Sequence, residues 1–398
     1  MSNNEPMKMI DELFDGLVKS RFIEMFGTID LSSQKEEWRR ICDVGTILTG
    51  STPKTSEPSF WDGDLKWIAP AELTSESYII NDTERKITEA GRRSCSLNLL
   101  KPGVVLLSSR APIGKVGIVG SEMYCNQGFK NIECGPELNN VFLYVLLKNN
   151  GEYLNSLGRG ATFKEISAKI VENIRIPVPP LERQEQFVTF FNQVDKSRDV
   201  AKKIFSKFDN LVKSRFIEMF GTREMYSDKW EMKPFTSCCD VLYGYPFNSE
   251  LFNEDSEGMP LIRIRDINTG FSNTYTTEVV DPIYEIHDGD ILVGMDGDFC
   301  AKIWKSGTAL LNQRTCRMKG KRGVVNDLFM LCYLNPELQH IHRKTASTTV
   351  KHLSAKEINK MKIPLPPLEL QEEFASFVEQ VDKSRAVFLN NLISKLYS

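Results

Sequence analysis

A nearly identical segment occurs twice in this chain, at positions 14–28 and 208–222, and both copies contain LVKSRFIEMFGT. A second pair of similar segments covers 176–198 and 363–385, where an IP(V/L)PPLE sequence precedes QVDKSR. The repeat period is far longer than the roughly 20–50 residues of a solenoid unit. The repeats therefore predict a tandem duplication of a unit the size of a domain.

Composition narrows the class of protein. The chain has 398 residues and a formal net charge of −3, which argues against a uniformly basic nucleic-acid binder but allows local basic patches. It contains no run of about 20 apolar residues and no signal-peptide core, so no membrane partner is expected. Its nine cysteines show no CxxC spacing. We therefore expect a cytoplasmic protein with reduced thiols and no metal site.

Long helices are predicted where the second pair of repeats begins. Pro179 and Pro180 are tolerated in a first helical turn, and a heptad pattern follows for some 38 residues, or roughly 57 Å. The C-terminal and N-terminal segments together contain the other copy. A narrow apolar stripe requires a partner helix, which predicts two long antiparallel helices in a coiled coil with pseudo-two-fold symmetry. The residues assigned to the helix contacts are Phe187, Val194, Phe208, Leu211, Phe216, Met219, Phe374, Val381 and Phe388.

Between these helices, short apolar runs separated by glycine and proline predict β-rich domains. Examples are the predicted strands at 116–119 and 261–265, and helices are predicted at 141–147 and 152–157. The fold class is therefore α+β, with two β-rich α/β domains joined by long helices. The predicted segments are an N-terminal helix at 1–28, a first β-rich domain at 29–180, a central spacer helix at 181–222, a second β-rich domain at 223–367 and a C-terminal spacer helix at 368–398.

The two β-rich domains are themselves related. ATFKEIS at 161–167 aligns with TTVKHLS at 348–354, and an Asn-Gln pair precedes a predicted strand at 126–127 and at 312–313. Similarity between these landmarks is low. The pattern indicates one backbone skeleton with two different surfaces.

No motif for catalysis stands out. DPIY at 281–284 faintly resembles the DPPY motif of amino-methyltransferases, but it lacks the second proline and favours a turn before a strand. DGD at 296–298 has no third metal ligand, HIH at 340–342 is typical of a solvated helix face, and GRG at 158–160 is too short for a P-loop. A stand-alone methyltransferase or nuclease with unrecognised motifs is the alternative to a chain without a catalytic site.

Several local sequences together resemble the specificity (S) subunit of type I restriction–modification systems, the HsdS family. The resemblance covers nearly the whole chain and includes the two IP(V/L)PPLExQ segments. The other matching sequences are TGSTPK at 49–54, PIG at 112–114, NQGFK at 126–130, GATF at 160–163, PLIRIRD at 260–266, GDILVGMDGD at 289–298 and NQR at 312–314.

The resemblance implies a role in reading DNA without catalysis. The β-rich domains would be target-recognition domains, each reading one half of a split sequence in double-stranded DNA. The helices would space these domains and, with the helix-contact residues named above, dock methyltransferase (M) and restriction (R) subunits of a DNA adenine methyltransferase/restriction endonuclease complex. S-adenosylmethionine, ATP and Mg would bind the partner subunits, with no cofactor on this chain. The alternative is a scaffold or antirestriction decoy of the same fold that reads no sequence.

Base reading favours arginine on guanine and asparagine or glutamine on adenine. Thr162 and Lys164 recur as Thr349 and Lys351, so these four are predicted to contact phosphate, whereas Arg110 aligns near Asp296, a difference that suits base discrimination. The candidates for DNA contact are polar side chains on loops beside predicted strands: Ser109, Arg110, Lys115, Gln127, Lys130, Thr162, Lys164, Arg263, Arg265, Asp296, Asp298, Lys302, Gln313, Arg314, Thr349 and Lys351.

Overall fold

The computed structural model describes residues 4–27, 38–110, 112–160, 164–345 and 351–397. The chain forms two compact units. Leu13–Lys196 is called the N-terminal unit, and Ser197–Ser398 together with Met1–Glu12 is called the C-terminal unit. No helix in the described ranges is long and apolar enough to cross a membrane.

The N-terminal unit combines short strands with short helices and with parts of two long helices, α1 and α7, that continue into the other unit. Its helices are α1 (Asn4–Phe26), α2 (Ile41–Val44), α3 (Glu89–Arg93), α4 (Asn140–Asn149), α5 (Gly151–Ser156), α6 (Ala168–Glu172) and α7 (Leu181–Phe220). Its strands are β1 (Trp38–Arg40), β2 (Gly45–Thr49), β3 (Trp61–Ile68), β4 (Ile79–Ile80), β5 (Arg85–Ile87), β6 (Val105–Leu107), β7 (Val116–Val119), β8 (Tyr124–Cys125), β9 (Lys130–Cys134) and β10 (Arg175–Pro177).

The strands of the N-terminal unit form a five-stranded sheet in the order β2-β9-β6-β7-β4, a three-stranded sheet β5-β3-β8 and the pair β1-β10. Most neighbours are antiparallel, but β3 runs parallel to β8, with Trp67 opposite Tyr124. Trp67 is fully buried, and its ring meets that of Trp61 edge-on at 5.1 Å. These sheets carry the loops that hold the candidate site of this unit.

The C-terminal unit has the same kind of architecture. Its further helices are α8 (Tyr226–Lys229), α9 (Phe235–Cys238), α10 (Ile264–Thr269), α11 (Asp327–Lys344), α12 (Ala355–Lys360) and α13 (Leu368–Tyr397). Its strands are β11 (Met232–Pro234), β12 (Cys239–Tyr243), β13 (Phe252–Asn253), β14 (Met259–Ile262), β15 (Tyr275–Thr276), β16 (Glu285–Ile286), β17 (Ile291–Gly294), β18 (Ala301–Ile303), β19 (Ala309–Leu311), β20 (Thr315–Gly320) and β21 (Lys362–Pro364). The sheet orders are β12-β20-β17-β18, β13-β15-β14-β19-β16 and β11-β21.

Four phenylalanines anchor the long helices of the N-terminal unit. Phe22 and Phe26 of α1 meet Phe187 of α7 at ring-centroid distances of 5.0 and 5.8 Å. Phe142 of α4 completes the cluster, 5.3 Å from Phe22 and 5.0 Å from Phe26. All four side chains are buried, so this cluster attaches the helix pair to the β-rich part of the unit.

The C-terminal unit contains a matching cluster. Phe216 and Phe220 of α7 meet Phe374 of α13 at 5.3 and 5.6 Å. Phe329 of α11 lies 5.7 Å from Phe216 and 4.7 Å from Phe220. The identical repeated segments therefore place equivalent aromatic side chains against equivalent partners.

Within each unit the two long helices run antiparallel. In the N-terminal unit, Arg183 near the start of α7 donates a hydrogen bond to the carbonyl of Met25 near the end of α1. In the C-terminal unit, Arg215 near the end of α7 pairs with Glu373 near the start of α13 at 2.9 Å. Further along, Arg385 of α13 pairs with an aspartate of α7 at 2.5 Å, with both side chains largely buried.

A buried glutamine closes the junction between strand, loop and long helix in the N-terminal unit. Gln184 accepts a hydrogen bond from the backbone N–H of Asn139 at 2.8 Å. Its amide nitrogen donates to the carbonyls of Glu137 and Pro179 at 2.9 and 2.7 Å. Buried backbone groups need such partners, so this side chain satisfies three of them at once.

Gln371 forms the same network in the C-terminal unit. It accepts from the N–H of Asn326 at 2.9 Å and donates to the carbonyls of Val324 and Pro366 at 3.2 and 2.9 Å. Asn139 and Asn326 cap α4 and α11 with their own side chains. The Gln of the PPLExQ repeat is therefore a structural residue.

Several sequence predictions are confirmed: the strand at 116–119 is β7, the helix at 141–147 lies within α4, the helix at 152–157 corresponds to α5, which ends at Ser156, and DPIY forms a 3-10 turn before β16. The strand predicted at 261–265 is wrong beyond Ile262, because α10 begins at Ile264. The carboxylate of Asp266 accepts the N–H of Arg263 at 2.8 Å, and Gly270, with φ of 77°, ends the helix. Burial raises the pKa of this aspartate.

Helix α11 was predicted only at HIH, 340–342, near its C-terminal end. Its 18 residues contain Pro336, which disfavours a helix interior because it lacks an N–H donor. Apolar side chains of α11 nevertheless pack into the core of the C-terminal unit, among them Phe329 and Leu334, both with no exposed surface. Tertiary packing therefore outweighs the local cost of the proline.

Candidate nucleic-acid interface

In the N-terminal unit, the chain leaving β6 lies between two other segments. The N–H of Ser109 donates to the carbonyl of Gly128 at 2.8 Å, and the N–H of Ile166 donates to the carbonyl of Ser109 at 3.0 Å. The backbone of Arg110 also pairs with that of Glu165 in an isolated antiparallel β-bridge. We call this place, defined by residues 108–110, 126–130 and 164–166, the N-terminal corner.

Side chains at the N-terminal corner hold one another. Arg110 Nη2 donates to Asn126 Oδ1 at 3.3 Å, and the amide nitrogen of Asn126 donates to Thr52 Oγ1 at 2.8 Å. The Thr52 hydroxyl in turn donates to the side-chain oxygen of Gln127. Arg110 is half-buried and Gln127 is exposed. This network orients a guanidinium and a carboxamide beside each other near the surface.

Two further predicted contacts point inward. Lys130 is buried, and its Nζ donates to Ser109 Oγ at 3.1 Å and to the carbonyl of Gln127 at 3.2 Å. The same ammonium pairs with Glu165 at 3.1 Å. In this structure Ser109 and Lys130 support the corner from inside and present no polar group outward.

The C-terminal unit repeats this backbone arrangement. After β17, the N–H of Met295 donates to the carbonyl of Arg314 at 3.0 Å, and the N–H of Leu353 donates to the carbonyl of Met295 at 2.6 Å. The backbone of Asp296 pairs with that of His352 in an isolated antiparallel β-bridge. The place defined by residues 294–296, 312–316 and 351–353 is called the C-terminal corner, and Asp296 occupies in it the position that Arg110 has in the other corner.

The side chains of the C-terminal corner differ in charge. Asp296 Oδ1 accepts a hydrogen bond from His352 Nδ1 at 2.5 Å, and Asp296 Oδ2 lies 3.6 Å from Arg314 Nε. The side chain of Arg314 is 57% exposed and that of Asp296 is 22% exposed. Gln313 is also exposed. The corner therefore presents an arginine and a glutamine, with the carboxylate behind the arginine.

Three more candidates of the C-terminal unit form a separate group around α10. Lys302 is buried and donates to the carbonyl of Asn268 at 3.0 Å. Arg263 Nη2 donates to Thr274 Oγ1 at 2.5 Å, and Arg265 Nη2 lies 3.3 Å from the same oxygen. The side chain of Arg265 remains 62% exposed, so it is the member of this group most accessible to a ligand.

The DGD and HIH motifs meet beside the C-terminal corner without a metal-type cluster. Lys351 Nζ donates to the carbonyl of His342 at 2.7 Å, and His342 Nε2 lies 3.9 Å from the exposed Asp298. The ring of His342, on α11, packs edge-on against Phe299 at 5.1 Å. Among the described residues, no group of three or more His, Cys, Asp or Glu side chains could hold a metal ion.

The nine cysteines, all within the described ranges, form no disulfide bond. Burial raises the pKa of Cys125 and Cys316 to about 12. The thiol of Cys125 accepts a hydrogen bond from Asn131 at 3.1 Å, and these two residues flank the 126–130 segment of the N-terminal corner. These cysteines pack as small apolar side chains and stay protonated at neutral pH.

Comparison with known proteins decides the family. The model of the type I restriction modification DNA specificity domain matches residues 35–207 and again 227–396. The chain is 30% identical over 397 residues to the type I restriction enzyme MjaIX specificity subunit of Methanocaldococcus jannaschii, covering 91% of each chain. The chain belongs to the type I restriction–modification specificity subunits.

Two other matches agree with this assignment. The specificity subunit is 39% identical over 163 residues to the EcoBI specificity subunit of Escherichia coli, covering 40% of this chain and 34% of that protein. A chain in a structure described as “Structural basis underlying complex assembly and conformational transition of the type I R-M system” has the same fold, with a TM-score of 0.53 at 18% identity over 91% of this chain and 93% of that one. DNA target recognition is thus the role of the family.

The remaining predicted contacts of the specificity subunit have these positions. Lys115 is half-buried beside the N-terminal corner, where its backbone N–H donates to Ser108 Oγ at 2.9 Å. Lys164 is exposed and directly precedes Glu165. Thr162 and Thr349 lie outside the described residues.

The predicted helix contacts of the specificity subunit divide by burial. Leu211 is 48% exposed, whereas Leu17, its equivalent in the repeat, is 7% exposed. Phe216 belongs to the aromatic cluster, so changing it would damage the core and would not test subunit docking. The buried residues are Phe187, Val194, Phe216, Phe374 and Val381, and the half-buried ones are Phe208, Met219 and Phe388.

Sequence reasoning missed three side chains that support the two corners. Asn126 was noted only as part of a motif, and Glu165 and His352 were treated as ordinary positions. A signal was present in the alignment of the two units. KEI at 164–166 aligns with KHL at 351–353, so His352 stands in the C-terminal unit where Glu165 stands in the N-terminal unit. In the same pair of units, Asp296 stands where Arg110 stands. The two changed positions are neighbours in each corner, and together the changes reverse the charge at the position of Arg110. Such a change suits two corners that bind different ligand groups.

Proposed function

We propose that this specificity subunit reads a bipartite sequence in double-stranded DNA, one half with each unit, and docks the M and R subunits of a type I complex. The observation that carries the proposal is the pair of corners, which share a backbone arrangement and differ in the polar side chains they present. Two sites with the same backbone arrangement and different hydrogen-bonding side chains suit the recognition of two different half-sites. Catalysis is assigned to the partners, together with S-adenosylmethionine, ATP and Mg²⁺.

A tandem duplication with pseudo-two-fold symmetry is part of this proposal. The repeated segments, the two aromatic clusters and the two glutamine networks support it. So does the antiparallel pairing of long helices within each unit, which favours a coiled-coil spacer between two recognition domains. A spacer of this kind would separate the half-sites by base pairs that no side chain reads.

Exchange of one recognition domain tests the proposal. Replacing residues 36–178 by the corresponding segment of another specificity subunit should change one half of the methylated sequence and leave the other half unchanged. The measurement is genome-wide mapping of methylated adenines in cells that express the hybrid with the M subunits. An unchanged motif would indicate a non-reading scaffold or decoy. Methylation by the purified chain alone would instead indicate a stand-alone enzyme.

The repeated helical segment also presents a repeated exposed face. Ile23 and Ile217 are 37% and 41% exposed in otherwise polar surroundings. Each is flanked by the same exposed side chains, which are Lys19, Ser20 and Glu24 in one copy and Lys213, Ser214 and Glu218 in the other. No internal packing requires these exposed residues to be identical. We therefore assign this face, in its two copies, to two equivalent M subunits.

Placing a carboxylate on this face should weaken docking. Ile217→Glu is expected to reduce the affinity for one M subunit about tenfold or more, because a charge buried at an apolar contact is costly. Adding Ile23→Glu should affect the second M subunit equally. Native mass spectrometry of the assembled complex would report the number of M subunits per chain. Val279→Glu, at a 95% exposed loop position, is the control and should retain both. Full stoichiometry in the double variant would contradict the assignment.

A further inference from the structure

The two corners supply the same chemical group from different positions. In the N-terminal corner the guanidinium comes from Arg110, and the facing position is Gly128. In the C-terminal corner the position of Arg110 is Asp296, and the position of Gly128 is Arg314. Each corner thus contains one half-exposed or exposed arginine that follows or faces an Asn-Gln pair.

Steric crowding explains why each corner has an arginine at only one of its two facing positions. A Cβ atom added to Gly128 would lie 2.9 Å from Arg110 Nε and 2.9 Å from Pro70 Cγ, closer than real Cβ contacts allow. A side chain at position 128 would therefore displace Arg110. The shorter Asp296 leaves room for Arg314 and places a carboxylate 3.6 Å from its Nε.

Each guanidinium has a polar side chain beside it. Asn126 Oδ1 accepts from Arg110 Nη2, and Asp296 faces Nε of Arg314. In each case the contact engages one edge of the guanidinium. A planar, pre-oriented fork of N–H donors matches the O6 and N7 acceptors of guanine.

We propose that Arg110 and Arg314 each read a guanine, one in each half-site, and that Asp296 positions Arg314 without contacting a base. The inference rests on the proposed function. It departs from the sequence prediction that Asp296 itself contacts DNA, since His352 and Arg314 already face its two carboxylate oxygens. Gln127 and Gln313 lie next to these arginines and would face the adjacent base pair.

Selection from a pool of randomised duplex DNA tests the inference. The full chain assembled with its M subunits is incubated with the pool, and bound DNA is sequenced. The native complex should enrich a guanine in each half-site. Arg110→Ala should lower the preference for guanine at one base pair of one half about 5- to 150-fold, which corresponds to the about 1–3 kcal/mol of a bidentate contact. Arg314→Ala should do the same in the other half only.

Controls separate base reading from charge. Arg93→Ala and Arg322→Ala remove exposed arginines of the N-terminal and C-terminal units outside the corners and should leave the motif unchanged. If Arg110→Ala or Arg314→Ala weakens binding equally for all sequences and reduces the salt dependence by one phosphate contact, that arginine contacts the backbone and the inference is wrong. If the native complex enriches no sequence, the proposed function itself fails.

The positioning role of Asp296 has its own readout. Asp296→Ala should reduce the preference for the same guanine that Arg314→Ala affects, and the double variant should lose little more than Arg314→Ala alone. Thermal melting of each variant monitors folding. Additive losses, or a loss at a different base pair, would assign Asp296 to direct base contact and overturn its positioning role.

Discussion

Replacing Phe220 by alanine should lower the free energy of unfolding of the C-terminal unit by about 3–5 kcal/mol, the usual cost of removing a buried phenylalanine. Phe220 has no exposed surface, and its ring contacts Phe216, Phe329 and Phe374 at centroid distances of 5.0, 4.7 and 5.6 Å. The substitution would leave a cavity where α7, α11 and α13 meet. Urea titration followed by circular dichroism would measure the loss.

Two variants make this experiment specific. Phe26→Ala, the equivalent change in the N-terminal unit, should cost a similar amount, because Phe26 has the same aromatic neighbours there. Phe271→Ala is the control, since this phenylalanine is 45% exposed and its loss should change stability by only about 0.5 kcal/mol or less. An unfolding curve for Phe220→Ala that matches the native one would show that the cluster does not stabilise the fold.

Replacing Gln184 by alanine should destabilise the N-terminal unit by about 2–4 kcal/mol, because buried polar groups that lose their partners cost roughly 1–3 kcal/mol each. The change leaves the N–H of Asn139 and the carbonyls of Glu137 and Pro179 without this partner. It also removes the contact that joins the start of α7 to the start of α4. The same urea titration applies.

Gln186→Ala is the matched control for this prediction. Gln186 is exposed two positions away on the same helix, so its removal should have little effect. Hydrogen exchange supplies a local readout, because the amide of Asn139 should exchange faster in Gln184→Ala than in Gln186→Ala. Equal exchange and equal stability of the two variants would mean that water or another group replaces the glutamine without cost.

The long helices could be predicted from the sequence with good accuracy. The heptad pattern after Pro179-Pro180 predicted some 38 residues, and α7 covers Leu181–Phe220. The C-terminal helix was predicted at 368–398, and α13 covers Leu368–Tyr397. Helix periodicity is local information, and proline, glycine and capping residues mark its ends. The strand at 116–119 was also predictable from local information, because it is a short apolar run between glycines.

The β-rich parts depended on information that is not local. IRIR at 262–265 has the apolar–polar alternation of a strand, yet the side chain of Asp266 accepts the N–H of Arg263 and begins a helix, which the left-handed Gly270 ends. Helix α11 forms in spite of Pro336. In both places a side-chain hydrogen bond or core packing outweighs the pattern that the sequence presents.

By itself, the sequence determined the repeated segments, the long helices, the family resemblance and the set of polar residues on loops beside the strands. Only the tertiary structure decided which of these residues are available to a ligand. Lys130 and Lys302 are buried, while Arg314 is exposed. The reason is physical. The pairing of Met295 with Arg314, and of Ser109 with Gly128, joins segments about 20 residues apart, and no local pattern encodes which side chains that register brings together.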